Sequence, residues 1–301
     1  MITYIRRKEL DVTKYDACIE SAVQSRIYAF SWYLDIVADN WDVLVLDDYK
    51  AVMPITWRKK MGIKYVYPPF WLLELGVFSL DENKEIQPFL EILYSKFKFA
   101  ELRLNTENKF LKSENLIDKQ FQYLDLKIGY EPILKGYNRN RKREIVKANK
   151  HHLVENWTDN PEKLITIFKV NIAERVKGIS ENDYSNLLNL MNFAIEKGVG
   201  ELLTIYDANN KLLAAAFFLK HKKRVTQLVC ASDISNRKNG VHTFFNDRAI
   251  FKYQPDFNEY NFGGSSMENI ANYYLSFGSK TEGYQQVKYN NLPFFIKLFK
   301  K

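Results

Sequence analysis

The chain of 301 residues is short of cysteine, glycine and proline, with two, twelve and eight respectively. Cys18 and Cys230 are too few for a disulfide scaffold or a four-cysteine zinc site, so a reducing compartment is expected. The glycines and prolines gather into no linker, and no repeat of solenoid period is visible. Long apolar runs are also missing. The longest covers residues 212–219, eight in a row, against the ~18 that a membrane span needs. The opening residues MITYIRRKELD contain no apolar stretch of signal-peptide type. A cytoplasmic protein is expected, with membrane contact at most peripheral. The four histidines (His151, His152, His221, His242) have no spacing suited to a metal, and none is expected. There is no nucleophile elbow, Walker loop or dinucleotide fingerprint.

What is present is apolar residue at 46% and aromatic residue at 15%, enough for a core that needs no staple. Forty-four basic against thirty-six acidic residues leave a charge of +8. That excess favours anionic partners: a phosphate-bearing cofactor, a nucleotide, RNA or an anionic membrane surface. DNA is not among the partners expected.

The pattern of elements suggests a mixed α/β fold in which one order of elements occurs twice. In the first half, residues 2–6 alternate as a strand and helical stretches follow near 13–25 and 31–39. Residues 43–46 and 51–57 form a hairpin, and extended pieces lie at 63–67 and 75–78. Ile86, Phe89, Leu90, Leu93 and Phe97 fall on one stripe of a helix. Strands at 100–104 and 121–126 close this half. In the second half, Pro161 opens a helix, and Ser180 with Asp183 makes a capping-box start for another. Strands at 202–206, 212–220 and 225–231 form a meander. A helix over 241–253, a short strand at 260–262, a helix over 269–277 ending at Gly278 and a strand at 284–289 complete it.

Residues 139–150 hold six bases and one acid. At helical spacing, Arg139, Arg143, Lys147 and Lys150 fall within one arc, with Arg141, Ile145, Ala148 and His152 nearly opposite. Such a stripe can grip phosphates or lie on an anionic membrane; a plain solvated face is the alternative. The loop Arg237, Lys238, Asn239, Gly240, Val241 and His242 opens the helix at 241. Unpaired amides and the helix dipole make that a place for a phosphate. Gly263, Gly264 and Ser265 permit a backbone to approach a ligand; a tight turn with a serine N-cap is the other reading.

This order of elements resembles the Gcn5-related acetyltransferases. Arg237, Gly240 and His242 are similar to that family's pyrophosphate-binding pattern, with His242 standing where the family has Gly or Ala. Tyr274, four residues before Gly278, resembles the family tyrosine whose hydroxyl protonates the leaving thiolate; Met267 and Ile270 depart from the family pattern upstream. The stretch from Tyr137 through the Lys-Ala-Asn-Lys at 147–150, and Phe262-Gly263-Gly264-Ser265-Ser266, look like the Fem-type peptidyltransferases. Those are tandem proteins of this fold. The resemblance covers most of residues 137–291 and is looser before them. It implies two tandem acetyltransferase-like domains, 1–136 and 137–301, that transfer an acyl group in a cleft between them. The donor it implies is acetyl-CoA or another acyl-CoA, with aminoacyl-tRNA as the Fem-type alternative. The acceptor is an amine or hydroxyl of a small molecule or cell-envelope precursor. A protein that has lost catalysis and binds a nucleotide-sugar or polymer is the reading from a different class. Tyr274 is then the catalytic candidate. Residues 237–242 are the cofactor candidates. Arg143, Lys147, Gly263, Gly264, Ser265 and Tyr289 are substrate candidates. Arg58, Lys60, Tyr65 and Pro69 are candidates for the first domain's contribution, chosen on composition.

Overall fold

The computed structural model describes residues 1–81, 85–176, 178–263 and 267–293, with the side chain of Arg237 outside that description. The chain forms two compact units, Met1–Lys119 with Gly283–Lys301, and Gln120–Glu282.

In the first unit, β1 (Ile2–Arg6) is followed by α1 (Val12–Ser21), capped by the Asp11 carboxylate, and α2 (Ser31–Val37). Then come β2 (Trp41–Leu46), β3 (Ala51–Lys60), β4 (Ile63–Val66), β5 (Phe78–Ser79), α3 (Gln87–Lys96) and β6 (Phe99–Arg103). β2 is buried along its whole length and β3 through Thr56, as continuous apolar runs covered on both faces must be. Pro88 stands in the first turn of α3, where its missing N–H costs nothing.

The second unit takes in β7 (Leu116–Asp125), α4 (Tyr130–Gly136), α5 (Arg139–Lys150), β8 (Val154–Asn156), α6 (Glu162–Asn171) and α7 (Glu181–Glu196). It continues with β9 (Gly200–Tyr206), β10 (Leu212–His221), β11 (Arg224–Ser232), α8 (Val241–Tyr253), β12 (Glu259–Asn261) and α9 (Glu268–Leu275). The Ser180–Asp183 capping box is formed. β13 (Lys280–Asn290) ends the sheet strands.

In the first unit the strand order is β1-β2-β3-β4-β6-β13, with β5 beside β3; in the second it is β7-β12-β11-β10-β9-β8. The sequence boundary after residue 136 lies inside the second unit. Tyr123–Asp125 pair with β12, and Leu126, Ile133 and Tyr137 enter the core formed by β9–β11 and α8. The chain returns to the first unit because Gln286–Asn290 pair with β6. Short-range patterning carries no trace of that pairing.

Two irregularities in the second unit shape its centre. The register of β10 on β11 passes from Phe217↔Val229 to Phe218↔Gln227, leaving Leu228 as an extra residue; a bulge of this kind bends its strand. β11 and β12 are parallel and pair only from Arg224↔Glu259 to Thr226↔Asn261. Past Thr226, β11 runs on to Ser232 without that neighbour. Among the described residues no helix is long and apolar enough to cross a membrane.

Candidate functional site

The opening in the strand pairing between β11 and β12 is filled by buried aromatic and polar side chains. The Tyr260 hydroxyl donates to Gln227 Oε1 at 2.9 Å and lies 3.4 Å from Asn246 Oδ1, and Gln227 Nε2 lies 3.1 Å from the Cys230 sulfur. Tyr274 projects from α9 into the same place. Its ring stacks on Phe262 at 4.4 Å. Burial pushes this phenol well above its ordinary value, with Gln227 opposing the shift. Tyr274 thus keeps its proton at neutral pH and is a weaker acid than a free tyrosine. Cys230 is pushed up to about 12 by burial, so its thiol is not a nucleophile at neutral pH.

Beside this opening lies a cluster that the sequence pattern did not single out. Arg141, on the inner face of α5, is 8% exposed. Its Nη1 donates to Thr243 Oγ1 at 2.7 Å and pairs with Glu144 Oε2 at 3.0 Å. Thr243 also donates to the Glu144 carboxylate. The guanidinium lies over the ring of Tyr273, 4.5 Å from its centroid. Burial pushes the Tyr273 phenol up, against the pull of Thr243 and Arg141. His242 packs edge-on against Tyr273 and Phe245, with Nδ1 3.4 Å from Ser232 Oγ. The signal for this cluster was present: Glu144 is the lone acid in a helix of bases.

Helix α5 covers the first turn of α8. Gly240 is the left-handed N-cap of α8, at φ +80°. A Cβ there would stand 2.3 Å from the Glu144 carbonyl oxygen, so close helix packing is itself a reason for glycine at 240. The Glu144 carbonyl therefore stands against Gly240, and the Glu144 carboxylate meets the Thr243 side chain in the first turn of α8, at the positive end of that helix. Of the other loop candidates, Val241 is fully buried, Lys238 is exposed, and the Asn239 amide donates to Asn236 at 3.0 Å. Gly263 has its N–H on Asn261 Oδ1 at 2.9 Å; Gly264 and Ser265 lie outside the described residues.

On the outer face of α5, Arg143 and Lys147 come together. With Arg139, Lys142 and Val146 they line an open cavity of about 710 Å³. The Asn138 side chain accepts from Arg141 N and caps this helix.

The candidates in the first unit are placed differently. Arg58 is held by the Asp39 carboxylate at 2.6 and 3.0 Å and stacks over Tyr67 at 4.1 Å. Tyr65 packs edge-on against Tyr67 and Phe99. Tyr289 stacks on Tyr94 at 4.4 Å. Pro69 is buried and Lys60 is exposed. Among the described residues no group of three or more His, Cys, Asp or Glu could hold a metal.

No family model and no curated protein matches the chain. Solved structures do. FemX superposes with a TM-score of 0.66 at 12% identity, over 99% of this chain and 100% of its own. The chain thus has a Fem-like fold. The C-terminal domain of a putative lysylphosphatidylglycerol synthetase from Agrobacterium fabrum gives 0.59 at 12% identity, over 93% of this chain and 92% of that domain. Saccharomyces cerevisiae N-myristoyltransferase with bound myristoyl-CoA gives 0.52 at 10% identity, over 94% of this chain and 78% of that one. These likenesses establish the Fem-like fold at identities too low to carry a substrate across.

Proposed function

We propose that this protein is an acyltransferase whose donor is an aminoacyl-tRNA and whose acceptor is an amine of a cell-envelope precursor. The observation that carries this reading is the packing of α5. Its inner face puts the Glu144 carbonyl and carboxylate over the start of α8, where a coenzyme A pyrophosphate would need open amides. Its outer face presents Arg139, Lys142, Arg143 and Lys147 around one open cavity, a surface that suits a run of phosphates.

In the reaction, the acceptor nitrogen attacks the ester carbonyl of the aminoacyl group. A C–N bond forms, the bond to the ribose oxygen breaks, the nitrogen loses a proton and the ribose oxygen gains one. Backbone amides of β11 beyond Thr226, where the strand has left β12, steady the developing oxyanion. Tyr274, which stays protonated at neutral pH, supplies the leaving oxygen with a proton. Much of the rate then comes from holding donor and acceptor together.

A second reading keeps an acyl-CoA donor. It is favoured by the likeness to an N-myristoyltransferase with bound myristoyl-CoA and by a left-handed glycine ahead of α8. Thermal-shift titrations separate the two, because a ligand of the native state raises Tm by mass action. A rise with aminoacyl-tRNA and none with acetyl-CoA or coenzyme A is expected. A saturable rise with coenzyme A alone would overturn the first reading in favour of the second.

A further inference from the structure

We propose that the tip of the β3–β4 hairpin docks on an anionic phospholipid surface. This inference is independent of which donor the protein uses.

The hairpin outruns its sheet. β2 pairs with β3 only as far as Thr56. From Trp57 to Lys60 the partner of β3 is β4, through Trp57↔Val66 to Lys60↔Ile63. On its other side β4 meets β6 only at Val66↔Ala100. Residues 57–65 are thus a two-stranded ribbon reading Trp-Arg-Lys-Lys-Met-Gly-Ile-Lys-Tyr, with four bases and no acid. Asp39 neutralises Arg58. Lys59, Lys60 and Lys64 are exposed and make no ion pair among the described residues.

The turn itself is the second observation. Met61 and Gly62 both have left-handed backbones, at φ +48° and +81°. Two-residue turns of this hand favour Asn, Asp or Gly at the first position. Methionine there costs backbone energy and gains no packing, for it is 86% exposed. An unbranched apolar side chain therefore leads the ribbon. The exposed ammonium groups follow it. Trp57, half-buried with the Lys64 ammonium 3.7 Å over its ring, stands at the base with Tyr65. An apolar tip ringed by ammonium groups matches apolar chains lying beneath anionic headgroups. Phosphates of RNA would use the lysines and leave the methionine without a partner.

The test is co-sedimentation of the full chain with vesicles of phosphatidylcholine containing phosphatidylglycerol, against phosphatidylcholine alone. Binding to the anionic vesicles only, weakening with salt, is expected. Met61→Asn suits the turn, so Tm should hold or rise while partitioning falls roughly tenfold. Lys59→Glu with Lys60→Glu should lower partitioning roughly tenfold or more. No preference for the anionic vesicles would overturn the proposal. So would partitioning that Met61→Asn leaves unchanged, or binding of duplex RNA that depends on Met61.

Discussion

The carbonyl oxygen of Glu144 occupies the space that a side chain at Gly240 would need, 2.3 Å from the position of its Cβ. Helix α5 and the start of α8 are locked by this approach and by the Arg141–Thr243 bond. Gly240→Ala has to relieve both the collision and a left-handed backbone. A loss of about 2–4 kcal/mol is expected, read as a fall in the midpoint of urea unfolding at unchanged slope. A Tm equal to that of the natural chain would mean that α5 does not lie where the structure has it.

Arg141 and Glu144 form an ion pair with one buried and one half-exposed partner. Arg141→Met removes the guanidinium from the Tyr273 face and leaves Glu144 with Thr243 alone. The expected cost is about 2–3 kcal/mol, below that of a fully buried pair because Glu144 still reaches water. A double-mutant cycle with Glu144→Gln should return a coupling of about 1 kcal/mol. Additive losses would show that the two side chains act separately.

These contacts mark the limit of what the chain discloses without coordinates. The face of α5 that buries Arg141 and Ala148 is legible from helical spacing, as are the Ser180–Asp183 cap and the bounds of α8, because each rests on residues within a few turns of one another. Glu144 meeting Thr243, or Tyr130 and Tyr137 meeting Asp247, joins residues about a hundred positions apart, and no local period encodes that. α4 is hidden by its local composition: Gly129 precedes it, Pro132 lies inside it and Gly136 ends it, residues that read as a loop. Gly240 reads in sequence as a phosphate loop, and its packing against α5 is a competing reason for the same residue.

Asp247 is 4% exposed and accepts from Tyr130 at 2.8 Å and Tyr137 at 3.2 Å. Burial pushes its carboxyl up, and the two phenols oppose the shift only in part. An acid raised in the folded state binds its proton more tightly there than in the unfolded chain. Its stabilising contribution is full below the ordinary carboxylate range and is lost as pH rises through the raised value. Asp247→Asn should flatten that fall. Denaturant unfolding across the acid-to-neutral range, for both chains, checks it; parallel pH profiles would show that Asp247 is not the source.

Both thiols should be inert in the folded chain. Burial pushes Cys18 up to about 11 and Cys230 up to about 12, so neither offers much thiolate at neutral pH. Labelling with a chromogenic disulfide reagent should be slow without denaturant and complete for two thiols once the chain unfolds. A single fast thiol in the folded protein would point to Cys230, the partly buried one.

The outer face of α5 makes the strongest quantitative demand. If Arg143 and Lys147 neutralise backbone phosphates, each displaces counterions, and the logarithm of the tRNA affinity falls linearly with that of the salt concentration. The slope loses roughly 0.7–0.9 for every contact removed. Arg143→Ala with Lys147→Ala should therefore make the slope about 1.5 shallower and weaken binding similarly for unrelated tRNAs, because phosphate contacts carry no sequence information. Both side chains are exposed, so Tm should stay put. An unchanged slope would remove α5 from the nucleic-acid interface. A changed slope with transfer activity retained at saturating donor would assign the helix to holding the tRNA body and leave the chemistry to the opening between β11 and β12.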